Sequence, residues 1–178
     1  IKNQLKIPVV YNSSGYEKPE TIRLLKGYVD IYLPDLKYFS SELSRKYSKA
    51  EDYFEVASCA IKLMIEQTGT PVFDSDGMLQ KGVIVRHLVL PNCRKDSISL
   101  LHWLKETLPD KHYLISLLSQ YTPFYNSHKY PELNRRITTY EYETILKEAI
   151  SLGLVEGFMQ EKSSAKEEYT PPFDLEGL

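Results

Sequence analysis

Apolar positions recur along this chain in two periods, and their alternation predicts strands and helices in turn. Ile7-Pro8-Val9-Val10-Tyr11 marks a first strand, ended by the small polar turn Asn12-Ser13-Ser14-Gly15. Pro19, Ile22, Leu24 and Leu25 then mark a short helix that stops at Gly27. The next run, Val29-Asp30-Ile31-Tyr32-Leu33-Pro34-Asp35-Leu36-Lys37, is β-branched and aromatic up to Pro34. Proline lacks a ladder donor, so the strand ends at or beside it. Strand, helix and strand in so few residues imply parallel pairing with a right-handed crossover.

Farther along, Ser40-Ser41-Glu42-Leu43 has the capping residues of a helix start. Tyr53, Phe54, Ala57, Ala60, Ile61, Met64 and Ile65 then fall at helical spacing from about Ala50 to Gln67, with Cys59 read into the core of that helix. Pro71-Val72-Phe73, Asp74-Ser75-Asp76-Gly77 and Met78-Leu79 predict a small hairpin; its acidic turn lacks the remaining ligands of a calcium loop. Val83 to Pro91 carries six aliphatic residues and reads as a strand covered on both faces, interrupted by Arg86 and His87. A helix over Ser97–Leu108 turns Ile98, Leu101 and Leu104 inward and leaves Trp103 at a layer boundary, and a strand follows over Tyr113–Tyr121. Phe124 to Arg136 has no period and reads as a loop crossing the rim of the sheet. A helix from Thr139 to Leu152, capped at Thr138 or Thr139 with Glu141 behind and closed by Gly153, leads to a last short strand in Leu154–Met159. The residues before Ile7 read as the end of a helix. Residues 1–159 thus form an α/β domain with mainly parallel strands, and 160–178 a charged, proline-bearing tail.

Composition narrows the function classes. A net charge of -2 gives no long-range attraction to nucleic acid or to an anionic membrane. No apolar run approaches the roughly 20 residues of a membrane span and the start is not a signal peptide, so the expected location is cytoplasmic. Two cysteines are too few for a disulfide framework and lack metal-site spacing; Cys93 reads as a free thiol in a loop. The fourteen tyrosines, without interleaved basic residues, are assigned to packing.

Candidate chemistry gathers where strands end. Asn12 and Ser13, Asp35 and Lys37, Arg86 and His87, and Gln120 and Tyr121 each lie at or near the carboxyl end of a predicted strand, the rim where parallel β/α folds bind ligands. Asp35 and Lys37 point the same way if the chain stays extended, toward one ligand or as a plain surface ion pair. A buried Arg86 requires an anion, from the protein or from a ligand. His87, facing the opposite way from Arg86, reads as a neutral core histidine with one nitrogen satisfied. Lys37 could alternatively form a Schiff base.

Taken together, Tyr11-Asn12-Ser13-Ser14-Gly15-Tyr16, Val29 to Tyr38, Lys46-Tyr47-Ser48, Gly82 to Pro91 and Ser119-Gln120-Tyr121-Thr122-Pro123 resemble the radical S-adenosylmethionine proteins of the pyruvate formate-lyase activating kind. The resemblance implies a partial (β/α) barrel. It implies a 4Fe-4S cluster, S-adenosylmethionine as the radical source, hydrogen abstraction from a glycyl-radical enzyme, and an electron donor such as flavodoxin or ferredoxin. By the same resemblance Lys37 and Arg86 hold the S-adenosylmethionine carboxylate, while Tyr121 with Gln120 lies near its ribose. Asn12, Ser13 and Asp35 match positions around a monovalent cation. The CxxxCxxC loop and the Gly-Gly-Glu segment of that family do not occur here, and Cys59 and Cys93 lie too far apart to replace the former. The expectation is a carboxyl-terminal part of a longer enzyme, inactive alone, whose first strand exposes an edge open to self-association. A domain that only binds a nucleoside or a partner protein is the alternative.

Overall fold

The computed structural model describes residues 5–155 and 157–159. In chain order its elements are β1 (Val10–Ser13), α1 (Pro19–Leu24), β2 (Ile31–Pro34), α2 (Ser41–Ser48), α3 (Tyr53–Thr68), β3 (Val72–Phe73), β4 (Leu79–Leu88), α4 (Arg94–Thr107), β5 (Leu114–Leu118), α5 (Thr139–Ser151) and β6 (Gly157–Met159). The strands lie in the order β1-β2-β4-β5-β6, all paired in parallel, and β3 adds antiparallel to β4 as the predicted hairpin. With helices packed along a parallel sheet, the architecture is a partial (β/α) barrel. The predicted helix end before Ile7, which falls largely on residues 1–4, and the tail from residue 160 lie outside the described residues.

The first strand starts later than its apolar run. Val10 to Ser13 pair with Ile31 to Pro34, so Asn12 and Ser13 lie inside β1 and not in a turn. Pairing decides this where hydropathy could not, because the backbone of β2 supplies partners that far along. At the near end, Val9 N donates to the Asp30 carboxylate at 2.9 Å. β1 forms one end of the described sheet, with Val10 half exposed.

One face of the sheet carries the core. Val83, Val85, His87 and Val89 are buried, whereas Ile84, Arg86, Leu88 and Leu90 between them are only partly so. β4 is therefore not covered equally on its two faces, as its aliphatic run predicted. Helices cover one face alone, and alternation along the strand carries every second residue to the other. α3 packs on β2, β4 and α1 through Tyr53, Ala57, Ala60, Ile61, Met64 and Ile65. Its alanines let the helix approach the sheet closely. Each fully buried Ile or Met contributes about 1.5–3 kcal/mol. Cys59 stands two residues beyond Ala57, about 200° around the helix, and is exposed, contrary to its reading as core. Tyr32, fully buried, donates to Gln67 at 2.7 Å, and Gln67 donates to the Ile22 carbonyl at 2.7 Å, so one amide ties β2, α3 and α1 together.

α4 begins at Arg94, three residues before the predicted start, with Cys93 at its cap. Cys93 is a free thiol in the connection after β4, as expected, but it is buried, and burial pushes its pKa up to about 11. Ser97, Leu100, Leu101 and Leu104 make the inward stripe, and Ile98, expected inside, lines a shallow groove with Phe39, His102 and Trp103. The aperiodic segment between β5 and α5 contains a single 3-10 turn, Tyr125–Lys129. It reaches back to α2: Tyr130 donates to the Lys46 carbonyl, and both Lys46 and Tyr47 donate to Glu132.

Glu141 joins α5 to the loop after β4. Its carboxylate completes the capping box with Thr138, takes both terminal nitrogens of Arg135 at 2.7–2.8 Å, and accepts from Asn92 N at 2.7 Å. Arg135 first, then the donors of Thr138 and Asn92, hold this carboxyl well below the usual range. A group so depressed contributes stability above its unfolded pKa of about 4.3 and loses it as pH falls. Glu141→Gln is expected to lower unfolding free energy at pH 7 by about 1–3 kcal/mol. Urea titrations at neutral pH and near pH 3 should show that deficit shrinking in acid; an equal deficit at both would refute the assignment.

Candidate functional site

The site is built by register. β2 and β4 pair with Ile31 opposite Gly82, and the same register continues past Pro34 to set Asp35 beside Arg86. Neighbours in a parallel pair share a face, so the backbone alone brings this carboxylate and this guanidinium together. Arg86 Nη2 lies 2.6 Å from Asp35 Oδ1 and donates to Asn12 Oδ1 at 2.6 Å. Lys37 Nζ stands 3.6 Å from the other carboxylate oxygen, Asp35 Oδ2. Two cations thus flank one carboxylate at the carboxyl ends of β1, β2 and β4, leaving a surplus positive charge. The anion that Arg86 required is Asp35. Yet Arg86 Nε is buried and has no hydrogen-bond partner among the described residues. An unmet donor of that kind costs about 1–3 kcal/mol, and a ligand oxygen would relieve it.

The backbone under these groups is held from both sides. From α3, the buried Tyr53 hydroxyl accepts from Lys37 N at 3.1 Å and lies within hydrogen-bond distance of the carbonyls of Ser14 (2.9 Å) and Asp35 (3.0 Å). Burial raises its pKa, so it stays a protonated donor. From β4, Leu36 N donates to the Arg86 carbonyl at 2.8 Å, and His87 Nδ1 meets the Leu36 carbonyl at 2.7 Å. His87 Nε2 meets Ser97 Oγ at 2.9 Å, so both of its nitrogens are engaged, one more than the sequence led us to expect.

The other predicted site residues lie as follows. Ser13 points to the opposite face of β1 from Asn12, where its hydroxyl accepts from Gly15 N and donates to Glu17, both at 2.9 Å. Its carbonyl takes Asp35 N at 2.9 Å. Gln120 and Tyr121 follow the end of β5, two strands over from β2. The Tyr121 hydroxyl donates to the Leu133 carbonyl at 2.9 Å, which ties the start of the segment between β5 and α5 to its later part. Among the described residues no group of three or more His, Cys, Asp or Glu side chains is placed to hold a metal ion. No described helix is long and apolar enough to cross a membrane.

No family model matches the chain. An uncharacterized protein of Methanocaldococcus jannaschii is 34% identical over 144 residues, covering 79% of this chain and 37% of its own length. The chain therefore spans little more than a third of that curated relative. Among solved structures, a domain of pyruvate-formate lyase-activating enzyme from Bacteroides vulgatus superposes with a TM-score of 0.57 at 15% identity, covering 84% of this chain and 79% of that one. At that identity the likeness concerns the fold.

Sequence reasoning found the four rim residues but missed what orders them. Tyr53 looked like one more member of an apolar stripe. Gly15 looked like a turn residue, and its role is close approach: it sits at φ 81°, and a Cβ there would lie 2.1 Å from the Asp35 carbonyl oxygen. Gly15→Ala is accordingly expected to push the β1 and β2 ends apart and to cost at least about 2 kcal/mol, from strain and lost packing. A denaturant midpoint equal to that of the unmutated protein would show that the approach is not needed.

Proposed function

We propose that this chain is the S-adenosylmethionine-binding portion of a radical enzyme of the activating type, with the methionyl carboxylate received by Arg86 and Lys37. The observation that carries the reading is the buried, partnerless Arg86 Nε inside a rim cluster with one surplus positive charge. A guanidinium forks onto a carboxylate, and a lysine adds charge without a fixed direction. Asp35 and Asn12 occupy Nη2 and so hold the guanidinium still, while Nε has no partner of its own among the described residues. When bound, S-adenosylmethionine supplies a radical on one-electron reduction, and the residues here bind and orient its amino-acid end. The partly buried apolar row Leu33, Ile84 and Leu88 on the same face of the sheet offers a surface for the less polar remainder. Asn12 and Asp35, already drawn together by Arg86, are the oxygen donors nearest to hand for a monovalent cation, whereas Ser13 offers its oxygens elsewhere.

The iron-sulfur cluster does not fit this chain. Its two cysteines are an exposed one on α3 and a buried one capping α4. The cluster, the electron donor and the glycyl-radical partner belong in this reading to the longer protein and its assembly. Isothermal titration of the intact protein with S-adenosylmethionine tests the proposal. Arg86→Gln and Lys37→Ala are each expected to weaken binding about 10- to 100-fold, the size of a lost charged hydrogen bond. Arg86→Lys should recover little, because a lysine at that position lacks the fork. Binding that is absent in the unmutated protein, or unchanged in Arg86→Gln, would leave the rim without this role.

A further inference from the structure

The Leu36 peptide, set between Asp35 and Lys37, is gripped at both ends by consecutive residues of β4. Its N–H goes to the Arg86 carbonyl at 2.8 Å and its carbonyl to His87 Nδ1 at 2.7 Å. A carbonyl oxygen can only accept, so Nδ1 carries the proton; in the neutral ring that burial favours, Nε2 is then bare and the Ser97 hydroxyl donates to it across 2.9 Å. The ring is 1% exposed and Ser97, in the first turn of α4, is equally buried. The next residue back, Asp96, accepts from Phe39 N and Ser40 N at 2.9 and 2.7 Å. The first turn of α4 therefore holds the whole stretch from Leu36 to Ser40 against the end of β4, while Tyr53 holds it from α3.

We propose that His87 is a positioning residue for the rim: as a neutral imidazole with a single allowed tautomer, it fixes the Leu36 carbonyl and so the distance and direction of Asp35 and Lys37 relative to Arg86. It touches no ligand. Arg86 and His87 point to opposite faces of β4, one presenting the cation, the other locking the strand end that carries the counter-charge and the second cation. Burial lowers its tendency to take a second proton. The carboxylates acting on it from the packed elements, Asp96 of α4 and Asp35 after β2, are committed to the Phe39 and Ser40 amides and to Arg86 respectively. The ring thus keeps one hydrogen-bond arrangement through the pH range in which an exposed histidine would switch.

The assignment rests on the proposed ligand only for its consequence in affinity, and its test separates the two. In the intact protein, nitrogen-15 spectra should show a protonated Nδ1 and a bare Nε2 at His87, unchanged between about pH 5 and 8. His87→Phe keeps a ring and removes both bonds; His87→Asn restores a donor at the position of Nδ1; Ser97→Ala removes the far partner. His87→Phe and Ser97→Ala should speed hydrogen exchange of the Leu36–Ser40 amides at least about five-fold, and His87→Phe should weaken S-adenosylmethionine binding by a similar factor. His87→Asn should recover most of both. Equal losses in the Phe and Asn variants, unchanged exchange in Ser97→Ala, or an imidazole that titrates near its ordinary value would overturn the role. Should His87→Phe not fold, the spectra and Ser97→Ala decide. If the unmutated protein binds no S-adenosylmethionine, the functional reading fails while the exchange measurements still judge His87.

Discussion

An arginine whose side chain is three-quarters removed from water has to be paired, and at the end of β4 that requirement is met by Asp35, 2.6 Å away on the neighbouring strand. Much of the rim follows from this contact. It needs β2 and β4 in a register that continues beyond Pro34, Asn12 inside β1 and not in a turn, and a backbone at Leu36 that cannot drift. These needs are met by the Tyr53 hydroxyl from the helix layer, the absent side chain of Gly15 and the His87 ring. Removing any of them would leave the charges present but not aimed.

The sheet divides its labour by face. Helices seal one side with the aliphatic, tyrosine and histidine side chains of the strands, and this side supplies the stability. The other side carries Asn12, Asp35 and Arg86 with the partly buried Leu33, Ile84 and Leu88 and the buried Ile31 and Leu114, and supplies the chemistry. Because alternate residues of one strand serve both, Arg86 and His87 can be adjacent in sequence and work on opposite sides of the same Leu36 peptide. The segment between β5 and α5 is anchored to α2 through Glu132 and Tyr130.

Most of the elements were legible in the sequence because each carried its own signal. The Ala57, Ala60, Ile61 and Met64 stripe was sufficient for α3, Thr138 with Glu141 for the start of α5, and the run into Pro34 for the end of β2. The errors fell where pairing or packing decides. β1 slid three residues into a polar stretch because β2 offered partners there; α4 gained a turn at its start; Cys59 and Ile98 turned away from the core.

By itself the sequence determined that the chain would form parallel strand–helix units and that Asp35, Lys37 and Arg86 would stand at strand ends, since periodicity, proline and caps act over a few residues. It could say that a buried Arg86 must find an anion. Which anion, at what distance and with which nitrogen left over, was decided only when strands far apart in sequence came into register. Hydrogen bonds at 2.6–2.7 Å depend on that assembled geometry, to which no local pattern of residues has access.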